Sequence, residues 1–262
     1  MLNIIFARPR TGTNYLINLL NCTGTNYYAK GEIFHKTKPY SLKEEEWSLI
    51  FKNENDLSKL SELEAARLVR NNPLLVIDYF KQLAKSQKQE IFIKVFPSHL
   101  DFNTVKKILD DDSIRTMILD RSIIETYISV NKAQTANKWT KVDTSNLSVD
   151  LDLQAFDNWF EKMKNWYVRL QEESPNETPT FNYNEFAFLD PEKAVHKILE
   201  KLNLKSDFEF QIDKIKHKKQ DSSKDILRTV TNRNEFIQHL QKNYTTHYEA
   251  IMVKNCSFCN LI

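Results

Sequence analysis

The chain has 262 residues, 41% hydrophobic and 27% charged, which is enough to bury a large core and argues against disorder. Its net charge of +2 is too close to balance for wholesale nucleic-acid binding, which usually shows as a basic face or stripe. No run approaches the roughly 18 apolar residues that span a bilayer, and Met1–Arg10 has too short an apolar run for a secretory signal. We therefore expect a cytoplasmic protein without a transmembrane segment.

The cysteine count indicates the same compartment. Cys22, Cys256 and Cys259 are too few for a disulfide framework, and they suit a reducing environment. The last two form a CxxC pair, but a zinc site needs two further ligands at a recognisable spacing. We therefore predict no metal.

Short apolar segments predict strands that alternate with helices from the N-terminus onward. Leu2–Ala7 is typical of a buried strand, and helical spacing begins at Asn14. Later strands are predicted at Glu90–Phe96, Ile114–Leu119 and Thr180–Tyr183. Later helices are predicted at Leu74–Lys85, Asp101–Leu109, from Arg121 to about Lys138, Leu153–Glu172, Pro191–Leu202 and Asn234–Tyr248.

Two capping boxes, Ser41 with Glu44 and Ser61 with Glu64, predict further helix starts. The alternation of strands and helices indicates an α/β fold: a single domain with a central, mostly parallel sheet that is flanked by helices on both faces. Ligands in such sheets bind at the carboxyl ends of the strands. We therefore look for the functional residues where predicted strands end.

The loop between the first strand and the first helix carries the strongest functional signal. All three glycines lie within the first 31 residues, and Gly12 is at the centre of this loop, Arg10–Asn14. Successive backbone N–H groups ahead of a helix can hold phosphate or sulfate. The hydroxyls of Thr11 and Thr13 add donors, and Arg10 supplies a forked cation. The alternative is an ordinary strand-to-helix turn with capping threonines.

This loop lacks the first glycine and the lysine of the nucleoside triphosphate P-loop, GxxxxGK(S/T). The run Arg10–Leu16, Arg-Thr-Gly-Thr-Asn-Tyr-Leu, instead resembles the 5'-phosphosulfate loop of sulfotransferases that use 3'-phosphoadenosine 5'-phosphosulfate (PAPS). Leu119–Ser122 is similar to the family's 3'-phosphate element, with Arg121 at a strand end and Ser129 eight residues later. A guanidinium and a hydroxyl suit a dianionic phosphate.

Two later segments are also similar to the family. Thr180–Phe186 resembles the strand that bears a tyrosine near the adenine, which implies Tyr183. The residues from 218 to 235 resemble the closing loop of the branch that includes bacterial trehalose sulfotransferases. The nucleotide-binding residues that the resemblance implies are Arg10, Thr11, Gly12, Thr13, Asn14, Tyr15, Arg121, Ser129, Tyr183, Lys219 and Arg228.

Three residues are candidates for the base that removes the acceptor proton. Glu32 is preferred because it follows a permissive glycine just after the first helix and matches the glutamate position of the trehalose-type branch. His35 and His99 are the alternatives, since histidine titrates near neutral pH. An ordinary polar surface position is possible for each. Arg10 is predicted to stabilise the transition state. Lys94, inside an apolar strand, either reaches the active site or is a snorkelling lysine at the edge of the strand, and the second interpretation is preferred.

The resemblance implies a single P-loop-like sulfotransferase domain over residues 1–262, nearest the trehalose-type branch. It implies in-line transfer of a sulfuryl group from PAPS to an acceptor hydroxyl on a carbohydrate or glycolipid, with 3'-phosphoadenosine 5'-phosphate (PAP) as product and no metal. That branch usually carries Pro-x-Glu-aromatic-Phe after the first helix, whereas this chain has Lys30–His35, so the acceptor site is expected to differ. A small-molecule kinase and a non-catalytic nucleotide-binding protein are the alternatives.

Overall fold

Five strands form one sheet in the computed structural model, which describes residues 1–24, 26–52, 60–139, 142–175, 178–215 and 226–252. The strands are β1 Leu2–Ala7, β2 Tyr27–Lys30, β3 Glu90–Val95, β4 Ile114–Asp120 and β5 Thr180–Asn182. Their order across the sheet is β2-β3-β1-β4-β5, and each neighbouring pair is parallel.

Helices connect these strands. They are α1 Thr13–Leu20, α2 Glu44–Ile50, α3 Glu62–Asn71, α4 Pro73–Gln87, α5 Phe102–Leu109, α6 Ile123–Thr135, α7 Leu153–Glu172, α8 Pro191–Lys201, α9 Arg233–Asn243 and α10 Tyr248–Met252. Within the described ranges, none of these helices has the length and apolar character needed to cross a membrane.

Strand side chains alternate in direction, so apolar side chains point to both faces of the sheet. Helices cover both faces. Ile4 and Phe6 of β1 belong to a core that includes residues of α4, α5, α6 and α7. Ile5 and Ala7, which point the other way, belong to a second core with residues of α1 and α8. The predicted α/β fold, with a P-loop-like arrangement of β1, loop and α1, is confirmed.

Several predicted elements lie where the hydrophobic pattern put them. β1 and α7 have the predicted bounds, and α3 begins after Ser61, whose hydroxyl accepts from the Glu64 N–H in a capping box. α4 begins at Pro73, a residue that suits the first turn because it needs no N–H acceptor there.

Two helix predictions were wrong, and one strand was not predicted. Ser41 does not cap a helix: it has a left-handed φ of 68°, and α2 is capped at Lys43, whose backbone N–H donates to Glu46. The last long helix is divided, because α9 ends at Asn243 and α10 begins five residues later. β2 is the strand that the sequence did not reveal.

A buried ion pair joins the carboxyl ends of β1 and β4. Arg8 Nη2 lies 3.1 Å from Asp120 Oδ1, and the two side chains are 1% and 0% exposed. The same guanidinium donates to the Arg121 carbonyl and to Thr126 Oγ1, and the ring of Trp159 lies 5.5 Å from its carbon. These contacts fix the loop after β1 to the loop after β4.

We expect Asp120→Asn to lower the free energy of unfolding by about 3–5 kcal/mol, because it removes the negative charge that pairs with the buried Arg8 guanidinium. Urea titration of the purified variant measures this loss. Asp110→Asn is the control, because Asp110 pairs with Lys106 at the surface of α5, where such pairs contribute about 0–1 kcal/mol. Equal, small losses for both variants would contradict the structural role of the pair.

Candidate active site

The carboxyl ends of all five strands meet at one edge of the sheet. Paired residues near these ends include Ala7 with Leu119, and Lys30 with Ile93. The residues predicted for the site follow these ends in the order Glu32 after β2, His99 after β3, Arg10 after β1, Arg121 after β4 and Tyr183 after β5. Adjacent strands lie about 4.8 Å apart, so this edge brings distant parts of the sequence together.

The loop after β1 has the backbone conformation of an anion cradle. Arg10 and Gly12 both have left-handed φ values, 72° and 86°. Gly12 is the N-cap of α1 and makes no side-chain capping bond, and the first N–H groups of a helix have no acceptors within the helix. The buried hydroxyl of Thr11 donates to the Arg8 carbonyl at 2.8 Å and holds the turn. The N–H groups at the start of α1 are thus available to an anion.

Tyr183 lies against Gly12 and forms a wall of the loop. A Cβ atom added to Gly12 would lie 2.2 Å from ring carbons Cδ2 and Cε2 of Tyr183. The Arg121 guanidinium also lies over the ring, with its carbon 4.9 Å from the ring centroid. Burial raises the pKa of Tyr183, so its hydroxyl stays protonated. The tyrosine therefore touches both of the loops that the sequence assigned to the nucleotide.

Three of the residues predicted for the site, Arg10, Arg121 and Ser129, lie close together. Arg10 Nε donates to Ser129 Oγ at 2.9 Å, and its Nη1 donates to the Trp139 carbonyl. Arg121 Nη1 donates to the Arg10 carbonyl at 3.0 Å, and its Nε pairs with Glu125 at 3.1 Å. Burial and the charge of Arg121 lower the pKa of Arg10 to about 10. Arg10 and Arg121 are thus two cations that repel each other in a partly buried space. An anion bound between them would reduce this repulsion, so the arrangement favours anion binding.

A second charged group lies toward β2. Lys94, near the end of β3 and 2% exposed, has its Nζ 3.1 Å from Glu32 Oε1 and donates to Asn14 Oδ1. Burial alone raises the pKa of Glu32, but the proximity of His99 and the charge of Lys94 outweigh it and lower the pKa to about 2. Burial lowers the pKa of Lys94, an effect that the Glu32 charge opposes. The pair connects Glu32 to the first turn of α1.

His99 is oriented by the turn that follows β3. The Phe96 N–H donates to its Nδ1 at 3.2 Å, and its Nε2 lies 3.7 Å from Glu32 Oε2. Burial lowers the pKa of His99, so the ring is neutral at pH 7. A neutral imidazole that accepts at Nδ1 carries its proton on Nε2, so this tautomer, assigned from the hydrogen bond, turns an N–H toward Glu32.

The other candidate base, His35, is half-buried beside this group. Its Nδ1 accepts from the Thr37 N–H at 3.3 Å, and its ring centroid is 5.1 Å from Tyr40 and 6.4 Å from His99. Glu32 was predicted to follow α1 directly. It instead follows β2, which lies between α1 and Glu32 in the chain. The edge strand therefore delivers Glu32 and His35 to the same end of the sheet as the anion cradle.

The remaining predicted residues lie at the edges of the site or beyond the described chain. Tyr15, in α1, stacks on Phe186 with ring centroids 6.4 Å apart. Arg228 is exposed in the 3-10 turn Ile226–Thr229. Lys219 lies outside the described residues, as do Cys256 and Cys259.

No role was predicted for Arg8 or Asp120, the pair that joins the two loops. The signal was present, since each charged residue directly follows a run of apolar residues at the end of a strand, Ile4–Ala7 and Met117–Leu119. A charge at such a position is buried unless the strand ends early, and a buried charge needs a partner. Two opposite charges at neighbouring strand ends would have predicted the pair once the strand order was known.

A parallel sheet whose central strand ends in an anion cradle defines the molecule as a P-loop-like α/β protein. Its family follows from the sequence: the model of the family described as "Sulfotransferase domain" matches residues 3–253. The chain belongs to this family, and it is therefore a transferase enzyme.

Two solved structures are similar to the chain. The sulfotransferase domain from the curacin biosynthetic pathway has 11% identity and a TM-score of 0.43, with 84% of this chain and 79% of that chain covered. The sulfotransferase domain from the Synechococcus PCC 7002 olefin synthase has 15% identity and a TM-score of 0.43, with 89% and 82% covered. No curated protein matches the chain. The family assignment therefore depends on the sequence match.

We expect Gly12→Ala to be more destabilising than Gly24→Ala, by about 1–3 kcal/mol in the free energy of unfolding. Both glycines have a left-handed φ, which costs a residue with a Cβ about 1–2 kcal/mol. Only Gly12 adds a clash with Tyr183, whereas the nearest atom to a Cβ at Gly24 is a carbonyl oxygen at 4.0 Å. Urea unfolding of both variants measures the difference, and equal losses would show that Tyr183 does not pack on the loop.

Proposed function

We propose that the protein transfers a sulfuryl group from PAPS to an acceptor hydroxyl, as a single domain over residues 1–262. The observation that carries this proposal is the order of groups along the carboxyl edge of the sheet. Arg121 and Ser129 lie on the β4 side, the Arg10 loop is central, and Glu32 lies on the β2 side. A sulfuryl transferase needs a nucleotide site, a transfer site and a base in this same linear order.

The chemistry of the loop residues fits the donor. The 5'-phosphosulfate carries its charge on oxygens that the N–H groups at the start of α1 and the Arg10 guanidinium can bind. The 3'-phosphate calls for a guanidinium and a hydroxyl, which Arg121 and Ser129 supply from β4 and α6. Tyr183, between the two loops, is suited to contact the adenine, because the adenine is attached to the ribose that carries both phosphates.

The proposed reaction is one in-line displacement. The acceptor oxygen forms a bond to sulfur as the sulfur–oxygen bond to the 5'-phosphate breaks, and the electron pair of that bond stays on the phosphate oxygen. Arg10 and the N-terminus of α1 stabilise the charge that grows there. The acceptor proton passes to a base, and solvent later receives it.

Glu32 is the base that the contacts support best. It is ionised at neutral pH, with a pKa held at about 2, so it can accept a proton. His99 cannot do so in its present tautomer, because Nδ1 is engaged by the Phe96 N–H and Nε2 carries the proton. A carboxylate of low basicity is sufficient, since the hydroxyl becomes strongly acidic as its oxygen bonds to sulfur. We assign His99 a positioning role toward Glu32.

The acceptor is proposed to be a carbohydrate or glycolipid hydroxyl, as in the trehalose-type branch that the sequence resembles. Glu32 occupies the position that matches the glutamate of that branch. The half-buried ring of His35 and the exposed ring of Tyr40 lie on the same side of the sheet as Glu32. Aromatic faces beside a base are suited to pack against a sugar ring.

We expect Arg121→Ala to weaken PAP binding by about 10–100-fold, because hydrogen bonds to charged groups contribute about 1.5–3 kcal/mol. Calorimetric titration in magnesium-free buffer measures the affinity. The affinity for 5'-AMP, which lacks the 3'-phosphate, should change little. Arg115→Ala is the matched control, since Arg115 lies near the start of β4, whereas Arg121 directly follows its end, and Arg115 pairs with Glu90 at the opposite end of the sheet. Equal PAP affinities for Arg121→Ala and the parent would refute the 3'-phosphate assignment.

We expect Glu32→Gln to lower kcat for sulfuryl transfer by about 10²–10⁴-fold, because the amide cannot accept the proton. The rate is measured with labelled PAPS and a panel of sugar acceptors, and PAPS binding is measured separately to show that the variant is folded. Glu90→Gln, a substitution of equal exposure at the other end of β3, should leave kcat unchanged. An unchanged kcat for Glu32→Gln, together with a large loss for His35→Gln or His99→Gln, would assign the base to that histidine.

A further inference from the structure

Lys94 is the residue that connects the two halves of the site. Its ammonium group contacts Asn14 in the first turn of α1 and Glu32 after β2, and its side chain is 2% exposed. No step of the proposed reaction yet uses it. A buried ammonium group with three N–H donors is able to exchange one acceptor for another without moving far.

We propose, on the basis of the proposed function, that Lys94 is shared between Glu32 and the sulfuryl oxygens of the donor. In the free protein it neutralises Glu32. When the donor binds at the start of α1, Lys94 turns toward the sulfuryl group and releases the carboxylate. Donor binding and the strength of the base are thereby coupled through one side chain.

The positions of the contacts support this exchange. Asn14 belongs to the first turn of the helix whose N-terminus is the proposed anion cradle, so the partner of Lys94 on that side adjoins the donor site. On the other side, Lys94 Nζ is 3.1 Å from a Glu32 carboxylate oxygen and is closer to the carboxylate than His99 Nε2, which is at 3.7 Å. The neutral His99 cannot replace the charge of Lys94 when the ammonium group is drawn toward the donor.

The coupling has a thermodynamic consequence that does not depend on turnover. If the sulfuryl group competes with Glu32 for Lys94, then neutralising Glu32 must strengthen donor binding, because coupling between two sites is reciprocal. The effect must be specific to the sulfuryl group. PAP carries the same nucleotide and both phosphates but no sulfuryl group, so it serves as the reference ligand.

The test is the ratio of PAPS affinity to PAP affinity, measured by calorimetric titration without an acceptor. The ratio cancels any loss of folded protein in a variant, since both ligands see the same folded fraction. We expect Glu32→Gln to raise this preference for PAPS by about tenfold, which corresponds to one pKa unit of coupling. We expect Lys94→Met to lower the preference by about tenfold or more.

Glu90→Gln is the matched control for charge. Glu90 is 25% exposed, as Glu32 is, and it pairs with Arg115 at the opposite end of β3. This variant should have the parent's preference for PAPS. A rise in preference that Glu90→Gln shares would come from the overall charge of the protein and would overturn the proposal.

The other possible results of these titrations also test the proposal. An unchanged preference in Glu32→Gln, or in Lys94→Met, would show that Lys94 does not exchange between the carboxylate and the sulfuryl group. If Lys94→Met weakened the binding of PAPS and of PAP equally, Lys94 would have only a structural role in the loop, and the proposal would be wrong. If the parent protein bound neither PAPS nor PAP, the proposed function itself would fail, a result distinct from binding without the coupling.

Discussion

The buried ion pair between Arg8 and Asp120 is the constraint on which the geometry of the site depends. β1 and β4 are neighbours in the sheet, but the helices that follow them, α1 and α6, belong to different cores, so the two loops diverge beyond the strand ends. The pair links the two loops, and the same guanidinium also contacts the Arg121 carbonyl. The desolvation of these charges is offset by Thr126 and the nearby ring of Trp159.

A second buried pair has the corresponding role on the Glu32 side of the site. Lys30, the last residue of β2, donates to both carboxylate oxygens of Glu46 at 2.6 Å and to the Ser41 carbonyl at 2.8 Å. A Cβ at Gly31 would lie 2.5 Å from Ser41 Oγ, so the chain passes closely over this point. The segment after β2 is therefore folded back on α2, and Glu32 is directed toward Lys94. A buried ion pair thus supports each half of the site: Arg8 with Asp120 behind the loops after β1 and β4, and Lys30 with Glu46 behind the segment after β2.

The sequence allowed prediction of features that depend on consecutive residues. The bounds of β1 and α7, the cap at Ser61 and the loop around Gly12 all follow from local patterns. β2 was not predicted because its four residues lack the alternation of a half-buried strand: even its lysine, Lys30, is buried. The contact of Glu32 with Lys94 could not be predicted, because it requires the strand order β2-β3-β1, which no local pattern encodes.

In the proposed function, donor binding exchanges the ion-pair partners of two cations in the site. Arg121 is paired with Glu125, and Lys94 with Glu32, so both cations are compensated while the site is free of donor. A buried ammonium or guanidinium left without an acceptor would cost several kcal/mol. Arg10 donates to the oxygens of Ser129 and Trp139 and is repelled by the charge of Arg121. An anion beside Arg10 would offset this repulsion, and in the proposed reaction the leaving phosphate gains its charge there as the sulfur–oxygen bond breaks.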